Sequence, residues 1–262
     1  MDLNLSGKNA VVCGSTQGIG KATAIEMALN GANIILIARN EAKLTEVKNI
    51  LACGSEQHHE YLVADFADPS NLQSVLAANK KLLQNANILV NNTGGPPGGK
   101  AIDAPIEEFR VAFNQHLICN HLLVQACFEG MKTSGYGRII NVISTSVKAP
   151  LPNLGVSNTI RGAVANWSKT LANELGEFGI TVNNVLPGAT DTERLKSIAE
   201  NKSKKTGKSV DAVLEAMTQQ VPLNRVAKPE EVANAITFLA SPSGAYINGI
   251  NVPVDGGRTP SL

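Results

Sequence analysis

Several absences bound the reading of this sequence before anything present is considered. There is no charge imbalance: Lys and Arg total 23 against 22 Asp and Glu, a net charge of +1. That gives no general pull toward nucleic acid or an anionic membrane. No apolar run approaches the ~20 residues a membrane span needs. The opening MDLNLSGKNAVV lacks the basic stretch and apolar core of a signal peptide, so a soluble, cytoplasmic protein is expected. Four cysteines, Cys13, Cys53, Cys119 and Cys127, form no CxxC pair and no metal-ligand spacing. They read as buried or free thiols of a reducing compartment. His58-His59 is a polar pair before a strand without further ligands, so no metal site is expected.

What is present is a rhythm. Of the 262 residues, 43% are hydrophobic, enough for a sizeable core. Short β-branched runs at 9–14, 32–38, 60–65, 86–92, 138–144, 180–187 and 250–254 read as strands closed by Gly, Asn, Asp or Pro. Helix-like segments fall at 18–30, 41–52, 69–84, 105–132, 156–178 and 229–240. Asp68-Pro69 and Lys228-Pro229-Glu230-Glu231 look like helix starts, with Pro at the first turn and acids near the positive end. Strand–helix alternation without a linker or repeat predicts one α/β domain with a doubly wound parallel sheet of Rossmann type. Only 189–228 breaks the rhythm, as a longer, polar, Lys-rich stretch that reads as a lid or a disordered insert.

The first strand runs into CGSTQGIGKA, with Gly14, Gly18 and Gly20 ahead of a helix. Glycines let backbone turn sharply and approach phosphates, and the helix N-terminus adds amides and the positive dipole end. Gly14, Ser15, Gln17, Gly18, Ile19 and Gly20 are therefore candidate nucleotide contacts. The second strand ends Ile37-Ala38-Arg39-Asn40, with a guanidinium where an NAD-binding chain usually carries an acid. The planar Arg39 fork suits a 2′-phosphate, and NADP(H) is expected over NAD(H).

The G-x3-G-x-G spacing is similar to that of the short-chain dehydrogenase/reductase family, and the resemblance then extends over nearly the whole chain. Asn91-Asn92-Thr93-Gly94 resembles the family's NNAG, and Asp65 matches its adenine-contacting acid. Pro187-Gly188 with Thr190 and Thr192 matches the segment that covers the nicotinamide carboxamide. The run FLASPSGAYINGINVPVDGG resembles that of bacterial 3-oxoacyl-[acyl-carrier-protein] reductases. The resemblance implies a hydride passed from the nicotinamide to a carbonyl carbon, with a tyrosine protonating the oxygen. It also implies a lysine four residues on, an orienting serine, and an asparagine anchoring a water relay.

Counting from landmarks puts Ser144 at the serine position, Ser157 at the tyrosine, Arg161 at the lysine and His116 at the asparagine. Asn114 lies two residues away from that last position and so faces elsewhere on a helix. Only the serine of the expected set is kept. An aliphatic hydroxyl is far less acidic than a phenol at pKa ≈ 10, and an arginine does not release its proton. Tyr136 and Tyr246 lie outside this register. His116, with an ordinary pKa near 6.5, reads either as a proton-transfer group or as a hydrogen-bonded structural histidine. SxxVKxPxPxLxxSNxxRxA and the following PGxTDTERL resemble a divergent branch labelled 3-oxoacyl-carrier-protein reductase-like.

The expectation is an NADP(H)-dependent oxidoreductase on a carbonyl/alcohol pair, acyl thioesters included. Catalytic candidates are Ser144, Ser157, Arg161 and His116. Cofactor candidates are the glycine turn, Arg39, Asp65, Asn91, Gly94, Arg161, Pro187, Gly188, Thr190 and Thr192. The alternative is a weakly catalytic NADP(H)-binding regulator. By resemblance the protein forms a homo-tetramer or dimer. Lys202, Lys204, Lys205 and Lys208 in the 189–228 lid either draw an anionic substrate or are simply solvated. Gly94–Gly99 either shapes the rim of the site or is an irregular loop.

Overall fold

Seven parallel strands form one sheet in the order β3-β2-β1-β4-β5-β6-β7 in the computed structural model, which describes residues 1–261. They are β1 (Asn9–Cys13), β2 (Asn33–Ala38), β3 (Glu60–Val63), β4 (Ile88–Asn91), β5 (Gly137–Val142), β6 (Ile180–Pro187) and β7 (Asn251–Val254). Each falls within one of the expected runs except β5, which begins one residue earlier. The sheet is covered on both faces, so its strands are almost continuously apolar and their residues divide by alternation. Ala10, Val12, Ile34 and Leu36 face one core layer, with Met27 of α1 (Gly18–Leu29) and Ile236 of α10 (Pro229–Ala240). Val11, Cys13, Ile35 and Ile37 face the other, with Leu72 of α3 (Pro69–Ala78), Leu123 of α6 (Cys119–Ser134) and Leu171 of α7 (Gly155–Leu175). This is the expected doubly wound single domain.

A polar row crosses these apolar strands. Asn91 pairs in register with Asn141, Asn141 with Asn184, and Asn184 with Asn251. Their side chains bond in sequence: Asn91 Nδ2 to Asn141 Oδ1 at 2.8 Å, Asn141 Nδ2 to Asn184 Oδ1 at 3.1 Å, Asn184 Nδ2 to Asn251 Oδ1 at 2.8 Å. Ser168 of α7 donates to Asn184 Oδ1 at 2.7 Å and accepts from Asn141 Nδ2 at 2.9 Å.

The helix signals behave as chemistry predicts. Asp68 caps α3, its carboxylate accepting from Ser70 N at 2.9 Å and Asn71 N at 3.1 Å, with Pro69 in the first turn. At α10 the Glu231 carboxylate reaches back to Lys228 N at 2.8 Å. Three expectations change. The segment 69–84 divides at Asn79 into α3 and the short α4 (Lys80–Leu83). The segment 105–132 is α5 (Ile106–Phe113) and α6 joined by a π-helical turn, Asn114–Ile118. The stretch 189–228 holds two helices, α8 (Glu193–Thr206) and α9 (Val210–Thr218), capped by Thr192 and Ser209. A second helix, α2 (Glu41–Ile50), follows β2. His59 is structural: Nδ1 accepts from Ile34 N at 3.1 Å, and Nε2 lies 2.8 Å from the Ala52 carbonyl. Cys13, Cys119 and Cys127 are buried, Cys53 is exposed, and all four are free thiols.

Candidate active site

The sheet order reverses between β1 and β4, and in open α/β sheets the crevice beyond that point receives ligands. Here the three expected cofactor segments meet. Gly14 and Gly18 take φ of +58° and +53°, the left-handed region that side chains rarely adopt. A Cβ on Gly14 would meet the Asn92 carbonyl at 2.5 Å, and one on Gly18 would meet the Thr192 methyl at 3.0 Å. One on Gly20 would strike the Gly14 carbonyl. The turn is thus bare backbone walled by the segments after β4 and β6. Gln17 caps α1 without a side-chain hydrogen bond, and no acid lies in the first turn. The first amides of α1 are left for an anion, so the cradle fits a pyrophosphate.

Arg39 is exposed at the end of β2 and makes no ion pair among the described residues. It lines a shallow groove with Val63, Ala64, Asp65, Asp68 and Asn71. Asp65 Oδ1 accepts from Ala67 N at 2.9 Å, leaving its other oxygen free. That groove fits an adenosine with a 2′-phosphate. Gly94 is exposed, with open space where a Cβ would stand. Pro187 ends β6, Gly188 N bonds Val254 O at 3.0 Å, and Thr190 Oγ1 donates to Gly188 O at 3.2 Å. Two expected contacts stand apart: Ser15 is buried with its hydroxyl 3.5 Å from the Ile37 carbonyl. Asn91 spends its amide inside the sheet row. Both side chains are engaged within the protein, although Asn91 Oδ1 is buried without a partner.

On the opposite wall, Ser144 follows β5 and caps a short 3₁₀ turn, Thr145–Val147. Its Oγ accepts from Ser146 N at 3.1 Å, so its proton remains free to donate. Helix α7 packs against that turn and against the π-helical turn. In its first turn the half-buried Ser157 has a side chain that makes no hydrogen bond among the described residues. One turn later Arg161 is 7% exposed, with Nη1 donating to the Val142 carbonyl at 3.0 Å and Nε unpartnered. Burial, then the nearby Arg194, lowers its pKa to about 10, so it stays charged at neutral pH.

His116 lies in the π-helical turn, 1% exposed, its Nδ1 2.6 Å from Thr93 Oγ1 and its Nε2 unpartnered. Burial, then Arg161 and Arg194, depress its pKa to about 2. The imidazole is therefore neutral at physiological pH, which argues against His116 as an imidazolium acid. No tyrosine fills that role: Tyr136 donates to Ala240 O at 2.6 Å, Tyr61 to Glu41 at 3.1 Å, and Tyr246 is fully exposed.

The structure adds two residues that the sequence did not single out. Thr93 holds the His116 ring. Arg194, in the first turn of α8, donates through Nη2 to the Pro96 carbonyl at 2.6 Å. The Gly94–Gly99 loop is stitched down as well: Gly99 N bonds Asn153 O at 2.8 Å and Gly155 N bonds Gly99 O at 2.9 Å. It forms a built rim, not a loose connection. The available signal for Arg194 was a cation in the first turn of a helix, the end where the dipole disfavours it.

Known proteins match this arrangement along its length. The family model described as enoyl-(acyl carrier protein) reductase matches residues 14–259. NADPH-dependent reductase BacG of Bacillus subtilis is 30% identical over 98% of this chain and 100% of its own length. The 3-oxoacyl-[acyl-carrier-protein] reductase FabG of Vibrio cholerae is 33% identical over 97% of this chain and 98% of its own. Among solved structures, L-sorbose reductase from Gluconobacter frateurii, complexed with NADPH and L-sorbose, superposes with a TM-score of 0.92 at 32% identity, both chains fully covered. Motif order, sheet topology and these full-length matches agree, and the chain belongs to the short-chain dehydrogenase/reductase family.

Proposed function

We propose that this protein is an NADP(H)-dependent oxidoreductase that interconverts a carbonyl compound and its alcohol through Ser144, Ser157 and Arg161 in place of a tyrosine–lysine pair. The observation that carries the reading is Arg161: a buried, charged guanidinium hung from Val142 O, two residues before a serine with a free proton. The glycine turn would hold the pyrophosphate, Arg39 the 2′-phosphate, Asp65 the adenine, and Gly188, Thr190 and Thr192 the carboxamide. The relatives named as NADPH-dependent or complexed with NADPH support that choice.

When bound, the reduced nicotinamide supplies a hydride to the carbonyl carbon. Ser144 donates a hydrogen bond to the carbonyl oxygen, and Arg161 stabilises the charge that develops there, an electrostatic contribution of about 3 kcal/mol per well-placed donor. Neutral His116 does not supply the proton. Water does, oriented by the free Ser157 hydroxyl, and Arg161 also holds ribose hydroxyls. Substrates named for the relatives run from acyl thioesters to a sugar, so the class stays at carbonyl/alcohol. The 189–228 segment acts as the substrate lid. Exposed apolar side chains on one face of α5, Ile106 and Phe113 seven residues apart, support a homo-oligomer, a tetramer or dimer. No helix among the described residues is long and apolar enough to cross a membrane, and the free cysteines support a cytoplasmic location.

The test is Ser144→Ala, assayed by NADPH oxidation over a broad carbonyl panel. Turnover falls roughly 10²–10³-fold while NADPH affinity holds. Unchanged turnover would instead support a cofactor-responsive binding protein, a reading favoured by the serine at position 157 and the neutral His116.

A further inference from the structure

Resting on the oxidoreductase reading, we propose that the substrate is an oxo acid, whose carboxylate is gripped by Arg194 from the lid side with Arg161 behind it. Arg194 sits against the Gly94–Gly99 rim, where a Cβ on Gly95 would come 3.3 Å from its Nη2. Among the described residues its guanidinium makes one hydrogen bond, to the Pro96 carbonyl, a neutral acceptor. Arg161 likewise bonds only a neutral carbonyl, and its buried Nε has no partner. The buried Nε2 of His116, which feels the charge of both arginines, is also unpartnered.

Among the described residues no carboxylate pairs with either arginine. The acids flanking Arg194 act elsewhere: Glu193 pairs with Lys196 at 2.9 Å, and Asp191 adds to the field on the same lysine. Arg194 is exposed at the mouth of the lid, but Arg161 is a buried cation without a counter-charge, and that is costly unless a ligand supplies one. The reduced nicotinamide ring is uncharged, and the cofactor phosphates are provided for by the glycine turn and Arg39. That leaves the substrate. A guanidinium fork matches a carboxylate in two parallel hydrogen bonds.

The experiment compares 2-oxo and 3-oxo carboxylates with their methyl esters, as NADPH-dependent turnover by wild type and Arg194→Gln. Wild type favours each acid over its ester in kcat/KM. In Arg194→Gln that ratio falls roughly tenfold to a hundredfold, the worth of a charged hydrogen bond, and Arg194→Lys recovers part of it. NADPH affinity, read by fluorescence titration, does not move. A wild type indifferent to the carboxylate overturns the proposal. So does an Arg194→Gln variant that loses NADPH affinity, since the arginine would then serve the pyrophosphate. If nothing in the panel turns over, the oxidoreductase reading fails, but calorimetry of the same oxo acids on the NADP-loaded protein still decides. Binding abolished by Arg194→Gln supports the carboxylate site, and no binding to wild type refutes it.

Discussion

Replacing His116 with Gln should make the folded protein less sensitive to acid. The imidazole is 1% exposed and faces two arginines, and in the native state it resists protonation until about pH 2. Unfolded, it takes a proton near pH 6.5. Between those values the unfolded chain binds one proton more than the folded chain, so stability is lost as pH falls below 6.5. The slope is about 1.4 kcal/mol per pH unit, or about 2 kcal/mol between pH 8 and pH 5. For a domain of this size that corresponds to a fall in Tm of roughly 4–8 °C. His116→Gln can still bond Thr93 but has nothing to titrate. Its stability curve should be flatter than that of wild type by this amount, and other groups cancel in the difference. Urea unfolding of both proteins at pH 8, 6.5 and 5 measures it. Parallel curves would mean that His116 takes up its proton in the folded state, and would restore it as a candidate acid.

Arg39→Ala should weaken NADPH binding roughly tenfold to a hundredfold and leave NADH little changed, because only the 2′-phosphate distinguishes the two; a titration of each cofactor reads this. Asn141→Leu should destabilise the fold by about 2–4 kcal/mol. It removes a central member of the asparagine row, leaves the buried Asn91 Nδ2 without its partner and takes one bond each from Asn184 and Ser168, and chemical denaturation gives the value.

Much of the framework was legible because it rests on local chemistry. The β-branched runs specify strands, Asp68-Pro69 specifies a helix start, and the glycines of 14–20 specify a turn that no side chain could enter. The π-helical turn was not legible, since one extra residue in a turn leaves the apolar stripe of 105–132 almost intact. The helices α8 and α9 hid in a polar, Lys-rich stretch because their buried faces are narrow: Leu195 and Ala199 in one, Val213 in the other. Asn91 was expected at the cofactor from its motif, yet its amide is committed to a neighbouring strand. The pairings of Arg194 with Pro96 and of Thr93 with His116 join residues 98 and 23 positions apart. Such contacts exist only once the sheet brings the loops together.

The asparagine row has a consequence for how the chain finds its alignment. Val, Ile and Leu in neighbouring parallel strands are nearly interchangeable, so a slide of two residues would keep every face apolar and cost the core little. It would also set each amide opposite an aliphatic side chain and strand a chain of buried dipoles. The asparagines thus act as a key that admits one alignment among several greasy ones. Ser168 extends the key to α7, two turns beyond Arg161. The rotation of that helix, and with it the direction of Ser157 and Arg161, is therefore set from the middle of the sheet.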